Sequence, residues 1–417
     1  MRSVRAITLC VIVLGTILGT TSIASAQTSL AERLRAQGIY THQTGQASPD
    51  DLAGQVVPEL SLLSLGARSQ LRATYTLAAT AHTTFPADLA NRVNLSSAFE
   101  LSKRTTLLLS AEAGHSTVAN ALISGGSSAA PVGVVPLAAG QLLTARISEG
   151  TSWEASPVIR FNQSVDATYV TTFDGPLSLD GYLANAVVSI DRTWKSDALG
   201  VDLRNGYART HAEPLPPERL ISLALTPHWR HDISQALTSL FVAGASIVFS
   251  PDPGTRPLVG PFAQASFNYL LDEATVAVIG SVGTQANALT AQLLYADQVT
   301  IRASTPLSLR HAIDASTSIG YIHGTILDRR RGVVQPPDFD AFIADASIGW
   351  SPTEAVELFA RYQFLDQLAA DTALAATPAT QRSTVILGIQ LSSHPDPIRV
   401  PTRFPQRVDR SDAAMAR

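Results

Sequence analysis

The sequence predicts an all-β fold, a transmembrane antiparallel β-barrel of about 16 strands. Three observations predict it. Of the 417 residues 45% are hydrophobic, but after residue 26 no apolar run is long enough for a membrane-spanning helix. Apolar and polar residues instead alternate with a period of two. The connectors between these segments are short and long in turn, which a soluble sandwich has no reason to show.

The composition argues against several other classes of protein. The formal charge is −4 and no basic domain is present, so we expect no nucleic-acid partner. The one cysteine, Cys10, cannot form a disulfide framework or a Cys-based zinc site. We find no phosphate-binding glycine loop, no zinc-protease motif and no serine-hydrolase elbow with plausible partners. The sequence therefore predicts no cofactor, no metal site and no catalytic residues.

Residues 1–26 are typical of a secretory signal peptide. Arg2 and Arg5 precede an apolar run over residues 6–18, and Ala24-Ser25-Ala26 forms a small-x-small cleavage site. We expect the mature chain to begin at the next residue.

Alternation continues from about residue 67 to residue 393. Val93, Leu95 and Phe99 share one face of a strand, while Asn94 and Ser96 share the other. The apolar face suits lipid, and the polar face is too polar for a soluble core. The alternating segments are centred near residues 74, 97, 109, 145, 163, 186, 203, 223, 242, 266, 279, 300, 317, 346, 360 and 388.

The connectors predict an orientation for the barrel. Those after even-numbered predicted strands are short, such as 102–104 and 231–234. Those after odd-numbered strands are mostly longer and richer in proline and glycine, such as 119–139 and 251–260. In bacterial outer-membrane barrels the short turns face the periplasm and the long loops face the medium. We therefore expect both termini of the mature chain in the periplasm.

Aromatic residues gather at the predicted strand ends in two groups, as in the aromatic girdles of membrane barrels. All four tryptophans lie at or beside the short turns, and several tyrosines lie at the opposite ends. The predicted girdle residues are Trp153, Trp194, Trp229, Trp350, Tyr169, Tyr182, Tyr207, Tyr295 and Tyr321.

The hairpin over residues 93–110, VNLSSAFELSKRTTLLLS, resembles the strand–turn–strand unit of large, poorly characterised, porin-like outer-membrane β-barrels of Gram-negative bacteria. The resemblance covers about residues 67–393. It implies an outer-membrane location, contact with outer-membrane lipids and lipopolysaccharide, and insertion by the barrel-assembly machinery. Members usually end in a strand with a terminal aromatic, whereas the last predicted strand here, Thr384–Ser392, has none.

Two segments flank the predicted barrel. Residues 27–66 contain Leu30 and Leu34 at helical spacing, which predicts a short N-terminal periplasmic segment on a tether, or a partial plug of the lumen. Residues 394–417 carry five arginines and three aspartates and are interpreted as a periplasmic C-terminal tail.

The polar phase of the strands predicts the residues that line the lumen. Sixteen strands imply a backbone radius of about 16 Å, too wide for side chains to fill. The charges can form a salt-bridged wall, a polar path for solutes, or both. The predicted lumen residues are Arg72, Glu100, Glu112, Arg146, Arg160, Asp166, Asp191, Asp202, Arg204, Arg302, Asp314, Asp345, Glu357 and Arg361.

The connector from Ala119 to Ala139 is unusually apolar for an external loop. Its apolar side chains would be unfavourable in water, and its backbone polar groups would be unsatisfied in lipid. We therefore expect this connector to fold into the barrel mouth and narrow the channel.

These features predict an outer-membrane channel for the passive passage of small hydrophilic solutes, without enzymatic activity. The alternative is an export conduit or assembly component for a surface polysaccharide, which would require a periplasmic partner. A minor alternative is a hydrolase at the external rim, where His115, His211 and His323 lie.

Overall fold

The computed structural model describes residues 27–44, 50–117, 141–173, 179–212, 217–251, 256–271, 273–287, 292–308, 312–327, 338–368 and 380–393. Within these ranges the regular elements are 18 β-strands, and no helix long and apolar enough to cross a membrane is found there. The strands are β1 Gln27–Thr44, β2 Asp51–Leu65, β3 Ser69–His82, β4 Asp88–Ser102, β5 Thr105–Thr117, β6 Gln141–Ser156, β7 Ile159–Phe173, β8 Leu179–Thr193, β9 Asp197–Ala212, β10 Glu218–Asp232, β11 Leu237–Phe249, β12 Leu258–Leu271, β13 Ala274–Asn287, β14 Gln292–Ser308, β15 Ile313–Ile326, β16 Asp338–Thr353, β17 Val356–Leu368 and β18 Thr380–Ser392.

The strands form one closed antiparallel barrel. Each strand pairs with its neighbours in sequence, and β1 also pairs with β18, with Ile39 opposite Ile386. Closure leaves no sheet edge, which lets every strand satisfy its backbone groups inside a membrane. Eighteen strands imply a backbone radius of about 18 Å.

The predicted count of about 16 strands is wrong, because the structure has 18. The sixteen predicted segments correspond to β3–β18, and residues 27–66 supply the other two strands. This N-terminal region is therefore part of the barrel wall, and the predicted periplasmic segment or plug is wrong.

The spacing of Leu30 and Leu34 explains the error. A separation of four residues fits a helix with a period of 3.6 and a strand with a period of two. Leu30, Leu34 and Tyr40 are all exposed on the outer face of β1, while Ile39 is buried on the inner face. In β2, Pro58 breaks the ladder to β3, because proline has no N–H to donate.

The connectors keep the predicted asymmetry. The strand bounds leave two to four residues after each even-numbered strand and four to 23 residues after odd-numbered strands. The end of the barrel with the short connectors is called the turn end, and the other end is called the loop end. The proposed signal peptide, the C-terminal tail and the 119–139 connector lie outside the described residues.

The two faces of the barrel differ as a membrane barrel requires. Large apolar side chains such as Leu199, Leu203 and Leu225 are more than half exposed on the outer face. Their chain neighbours Asp202 and Thr226 are buried and point to the inner face. Lipid contact accounts for the apolar exposure, so the outer face is the membrane-facing surface.

Candidate functional site

The inner face of the barrel is the candidate site. The register places the fourteen predicted lumen residues on the inner face of their strands. Arg160 lies opposite Asp191, for example, because both alternate with outward residues such as Phe161 and Ile190. Their part in solute passage remains a prediction.

Most charges of the inner wall are paired with the opposite sign. Pairing neutralises the wall locally while keeping polar groups available to water, so the lumen is polar without a strong net field. The arginine–carboxylate pairs among the described residues include Arg33–Glu59 at 3.6 Å, Arg92–Glu112 at 2.5 Å, Arg146–Asp166 at 3.9 Å, Arg160–Glu154 at 2.5 Å, Arg204–Asp202 at 2.9 Å and Arg361–Asp345 at 2.8 Å.

His228 of β10 lies between two carboxylates near the turn end. Its Nε2 is 2.6 Å from Asp191 Oδ1, and its Nδ1 is 3.2 Å from Asp202 Oδ1, an ion-pair distance without hydrogen-bond geometry. Asn162 donates to Asp191 at 2.7 Å, and Arg204 donates to Asp202 at 2.9 Å. This largely buried cluster joins β7, β8, β9 and β10 and stiffens that part of the wall.

At the loop end the sheet separates between β12 and β13, while β14 stays paired with β15 out to Leu294 opposite Ile326. Pairing between β12 and β13 stops at Ala263 opposite Val282, whereas β13 and β14 stay paired out to Asn287 opposite Gln292. We call residues 283–287 and 292–295 the inward tip. It lies inside the lumen, because β14 approaches β9, which is not its neighbour in the sheet, to within 8 Å between Cα atoms.

Two apolar clusters hold the inward tip. Leu293 and Leu294 point to opposite faces of β14, yet they are 2% and 0% exposed. Leu293 packs with Leu183, Ala208, Leu220 and Val248 on the inner faces of β8–β11, and with Leu327, which follows β15. Leu294 and Ala296 of β14 pack on the inner faces of β15–β17 with Ile322, Phe339, Ala341 and Leu365. Burial of each leucine stabilises the tip by about 1.5–3 kcal/mol.

Gly283 is the residue at which the tip turns inward. Its φ of 143° is a conformation that residues with a side chain rarely adopt. A Cβ at this position would lie 2.7 Å from the Phe262 ring. The Arg204 guanidinium lies 5.0 Å from the centre of the same ring. The bend therefore connects the apolar tip to the charged wall through one aromatic side chain.

The predicted girdle residues occupy the expected strand ends, with one difference. Trp153, Trp194, Trp229 and Trp350 are each about half exposed on the outer face at the turn end. Tyr182 and Tyr321 are similarly exposed at the loop end, and Tyr207 is 37% exposed there. Tyr169 contacts Tyr182 with ring centres 4.7 Å apart and ring planes tilted by 37°.

Tyr295 departs from the girdle prediction. It belongs to the inward tip, packs against the first apolar cluster and donates from its hydroxyl to the carbonyl of Pro261 at 3.2 Å. Tyr295 shares the phase of the exposed residues Val299 and Ile301 of β14, but the bend at Gly283 turns this phase into the lumen at the tip.

Several inner-wall residues were missed by sequence reasoning. Arg33, Arg35 and Glu59 belong to β1 and β2, which the sequence placed outside the barrel. Arg92 and His228 lie on predicted strands, and only their pairing with acids in three dimensions marks them. In the part of the chain that the structure describes, no group of three His, Cys, Asp or Glu side chains could hold a metal ion.

No family model and no curated protein matches this chain. Solved structures of Pseudomonas aeruginosa are similar to it at low identity. OccK2 (OpdF) in complex with glucuronate is 11% identical, with a TM-score of 0.46 over 88% of this chain and 99% of that one. OpdK is 10% identical, with a TM-score of 0.45 over 87% and 99% of the two chains. OccK3 (OpdO) is 12% identical, with a TM-score of 0.43 over 88% and 96%. On its own geometry, this chain is a closed antiparallel β-barrel of 18 strands with an apolar outer face.

Proposed function

We propose that this protein is a channel for the passive passage of small hydrophilic solutes across the outer membrane. The observation that carries the proposal is a closed 18-stranded barrel whose inner wall is lined by paired charges. A lumen of about 18 Å backbone radius is too wide for wall side chains to fill, so water enters it.

The proposed path runs along the inner faces of β1–β7. The two apolar clusters that hold the inward tip involve β8–β11 and β14–β17, so the tip narrows that side of the lumen. The β1–β7 wall carries charge pairs such as Arg92–Glu112 and Arg146–Asp166. Such pairs offer donors and acceptors that replace the hydration of a small polar solute during passage.

The proposed orientation places the turn end and both termini of the mature barrel in the periplasm. The short connectors after even-numbered strands support it, because periplasmic turns only reverse the chain. Residues of the inward tip then face the external mouth, where they limit the size of entering solutes.

The test is single-channel recording of the refolded full-length protein in a planar bilayer, together with swelling of liposomes in sugars of increasing size. We expect stepwise conductance and swelling that falls as the sugar grows. Correctly folded protein that gives neither conductance nor swelling would contradict the proposal.

Charge reversal identifies the conducting wall. Arg92→Glu places two acids side by side on the proposed path, so the reversal potential in a salt gradient should shift toward cation selectivity. Arg192→Glu makes the same charge change on the outer face at the turn end, where Arg192 stacks on Trp194. It should leave the reversal potential unchanged. Equal shifts in both variants would place the path elsewhere.

A further inference from the structure

Two arginines face each other on the outer surface of the barrel. Arg209 of β9 lies directly opposite Arg219 of β10 in the strand register. Both side chains are exposed and follow the outward phase of their strands, which also contains Leu203 and Leu225. The guanidinium groups therefore start from Cβ atoms about 5 Å apart on the membrane-facing surface.

This arrangement is unfavourable without a counter-charge. Like charges directly opposite on adjacent strands repel each other, and a membrane surface weakens the screening by water. Among the residues that the structure describes, no carboxylate lies within 4 Å of either guanidinium. Asp180, on the neighbouring strand β8, lies opposite His211 in the strand register and not opposite either arginine.

The depth of the pair coincides with the edge of the apolar band. Ten residues of β10 separate Arg219 from Trp229 in the turn-end girdle, which is about 26 Å along the barrel axis at a tilt of about 40°. The apolar band of such barrels is about 25 Å tall. Tyr182, a girdle residue of the loop end, lies directly opposite Arg209. The arginine pair is therefore at the level of lipid headgroups.

We propose that Arg209 and Arg219 bind the phosphate group of a membrane lipid at the loop end of the barrel, with the Tyr182 hydroxyl beside them. Guanidinium groups present paired N–H donors that match phosphate oxygens, and the bound anion removes the repulsion between the arginines. The proposed orientation makes this an external-leaflet lipid. The chemistry of the site does not depend on that orientation.

The experiment is native mass spectrometry of the refolded full-length protein in detergent micelles. The protein is titrated with bisphosphorylated lipid A, with lipid A lacking phosphates, with phosphatidylglycerol and with inorganic phosphate. We expect the phosphorylated lipids to be retained and the dephosphorylated lipid A to be lost. The Arg209→Gln/Arg219→Gln double variant should reduce retention of the phosphorylated lipids at least tenfold.

Arg192→Gln is the matched control, because it removes an exposed outer-face arginine from the opposite rim. It should retain phosphorylated lipid like the wild type. Each single variant, Arg209→Gln or Arg219→Gln, should lose part of the binding, and these variants serve as the test if the double variant does not fold. Folding is checked by the shift in gel migration on boiling.

Three results would overturn the proposal. They are undiminished lipid binding by the folded double variant, equal retention of the dephosphorylated lipid A, and displacement of lipid by an equal concentration of inorganic phosphate. The last result would assign a free-anion site. Retention of phosphatidylglycerol but not lipid A would support the phosphate-binding site and would place the bound lipid in the inner leaflet. Because the readout is bound lipid, a barrel that conducts nothing still gives a clear answer.

Discussion

At the scale of single residues, two histidine–aspartate pairs of β10 differ in how far they are buried and therefore in what they contribute to stability. His228 and His231 lie three positions apart on β10, and each contacts an aspartate. The His228 side chain is 13% exposed among inner-wall charges, whereas His231 is 34% exposed at the turn end. Water screens the second pair but not the first, so only the first is expected to contribute strongly to stability.

His228→Ala should lower the free energy of unfolding by about 2–3 kcal/mol, because it leaves Asp191 and Asp202 without their shared partner in a poorly hydrated site. His231→Ala should cost less than about 1 kcal/mol. Urea unfolding followed by tryptophan fluorescence in detergent micelles measures both. Equal losses in the two variants would show that burial of the cluster is unimportant.

Gly283→Ala should release the inward tip. The added Cβ would meet the Phe262 ring, and the φ of 143° would be strained by about 1–3 kcal/mol. We expect a higher single-channel conductance in a planar bilayer. Gly280→Ala is the control on the same strand, since its Cβ would meet only the Gln298 carbonyl at 3.9 Å. An unchanged conductance in folded Gly283→Ala would contradict the narrowing role of the tip.

Asp50 lies before β2 at the loop end, and its contacts predict the direction in which the pKa of its carboxyl is shifted. Hydrogen bonds from His42 and then Tyr40 lower the pKa of its carboxyl below the ordinary 3.8. The contact therefore stabilises the folded state above the unfolded pKa, and this contribution is lost as the pH falls through the lower folded value. Carbon-13 NMR of labelled aspartate should show this midpoint, and His42→Ala should raise it.

At the scale of elements, β1 and β2 are needed to close the barrel. β1 is paired with β2 along one side and with β18 along the other. Without them, the edges of β3 and β18 would face each other with unpaired or mismatched backbone groups. Each unsatisfied group in lipid costs several kcal/mol, so these strands have a structural role that a periplasmic segment would not have.

Deletion of residues 27–66 should therefore abolish folding, seen as loss of the gel shift on boiling. Deletion of residues 125–137 from the connector after β5 is the control, and this variant should still insert. Its conductance also tests whether that connector narrows the channel, as the sequence predicts. A normally folded protein lacking 27–66 would contradict the role assigned to β1 and β2.

At the scale of the whole molecule, the two ends of the barrel are unlike. The turn end has connectors of two to four residues, and the loop end has connectors of up to 23 residues together with the inward tip. An outer-membrane barrel with its loop end outside exposes these longer connectors to the medium. The orientation is accessible to a direct test.

An epitope inserted at residues 125–130 should be reached by antibody on intact cells, whereas one inserted at residues 195–196 should be reached only after the outer membrane is permeabilised. Both proteins should fractionate with the outer membrane. The reverse labelling pattern would invert the proposed topology, and a soluble periplasmic protein would refute the barrel as a membrane structure.

The sequence by itself determined the strands from β3 to β18 and the division of their side chains between two faces. Alternation with a period of two is a local property, so each strand reports which residues point inward without knowledge of its partners. Connector lengths are also a local property of the sequence, and their alternation predicts that the two ends of the barrel differ. Residues such as Arg160 and Asp345 could therefore be placed on the inner face in advance.

Only the tertiary structure decided the number of strands, the charge pairs and the narrowing of the lumen. The spacing of Leu30 and Leu34 fits both a helix and a strand. The choice between helix and strand depends on whether β18 and β3 need partners. The inward tip depends on contacts between β14 and strands more than eighty residues earlier, such as Leu293 with Leu183 and Ala208. No local pattern encodes such contacts, because they arise when the closed wall brings distant inner faces together.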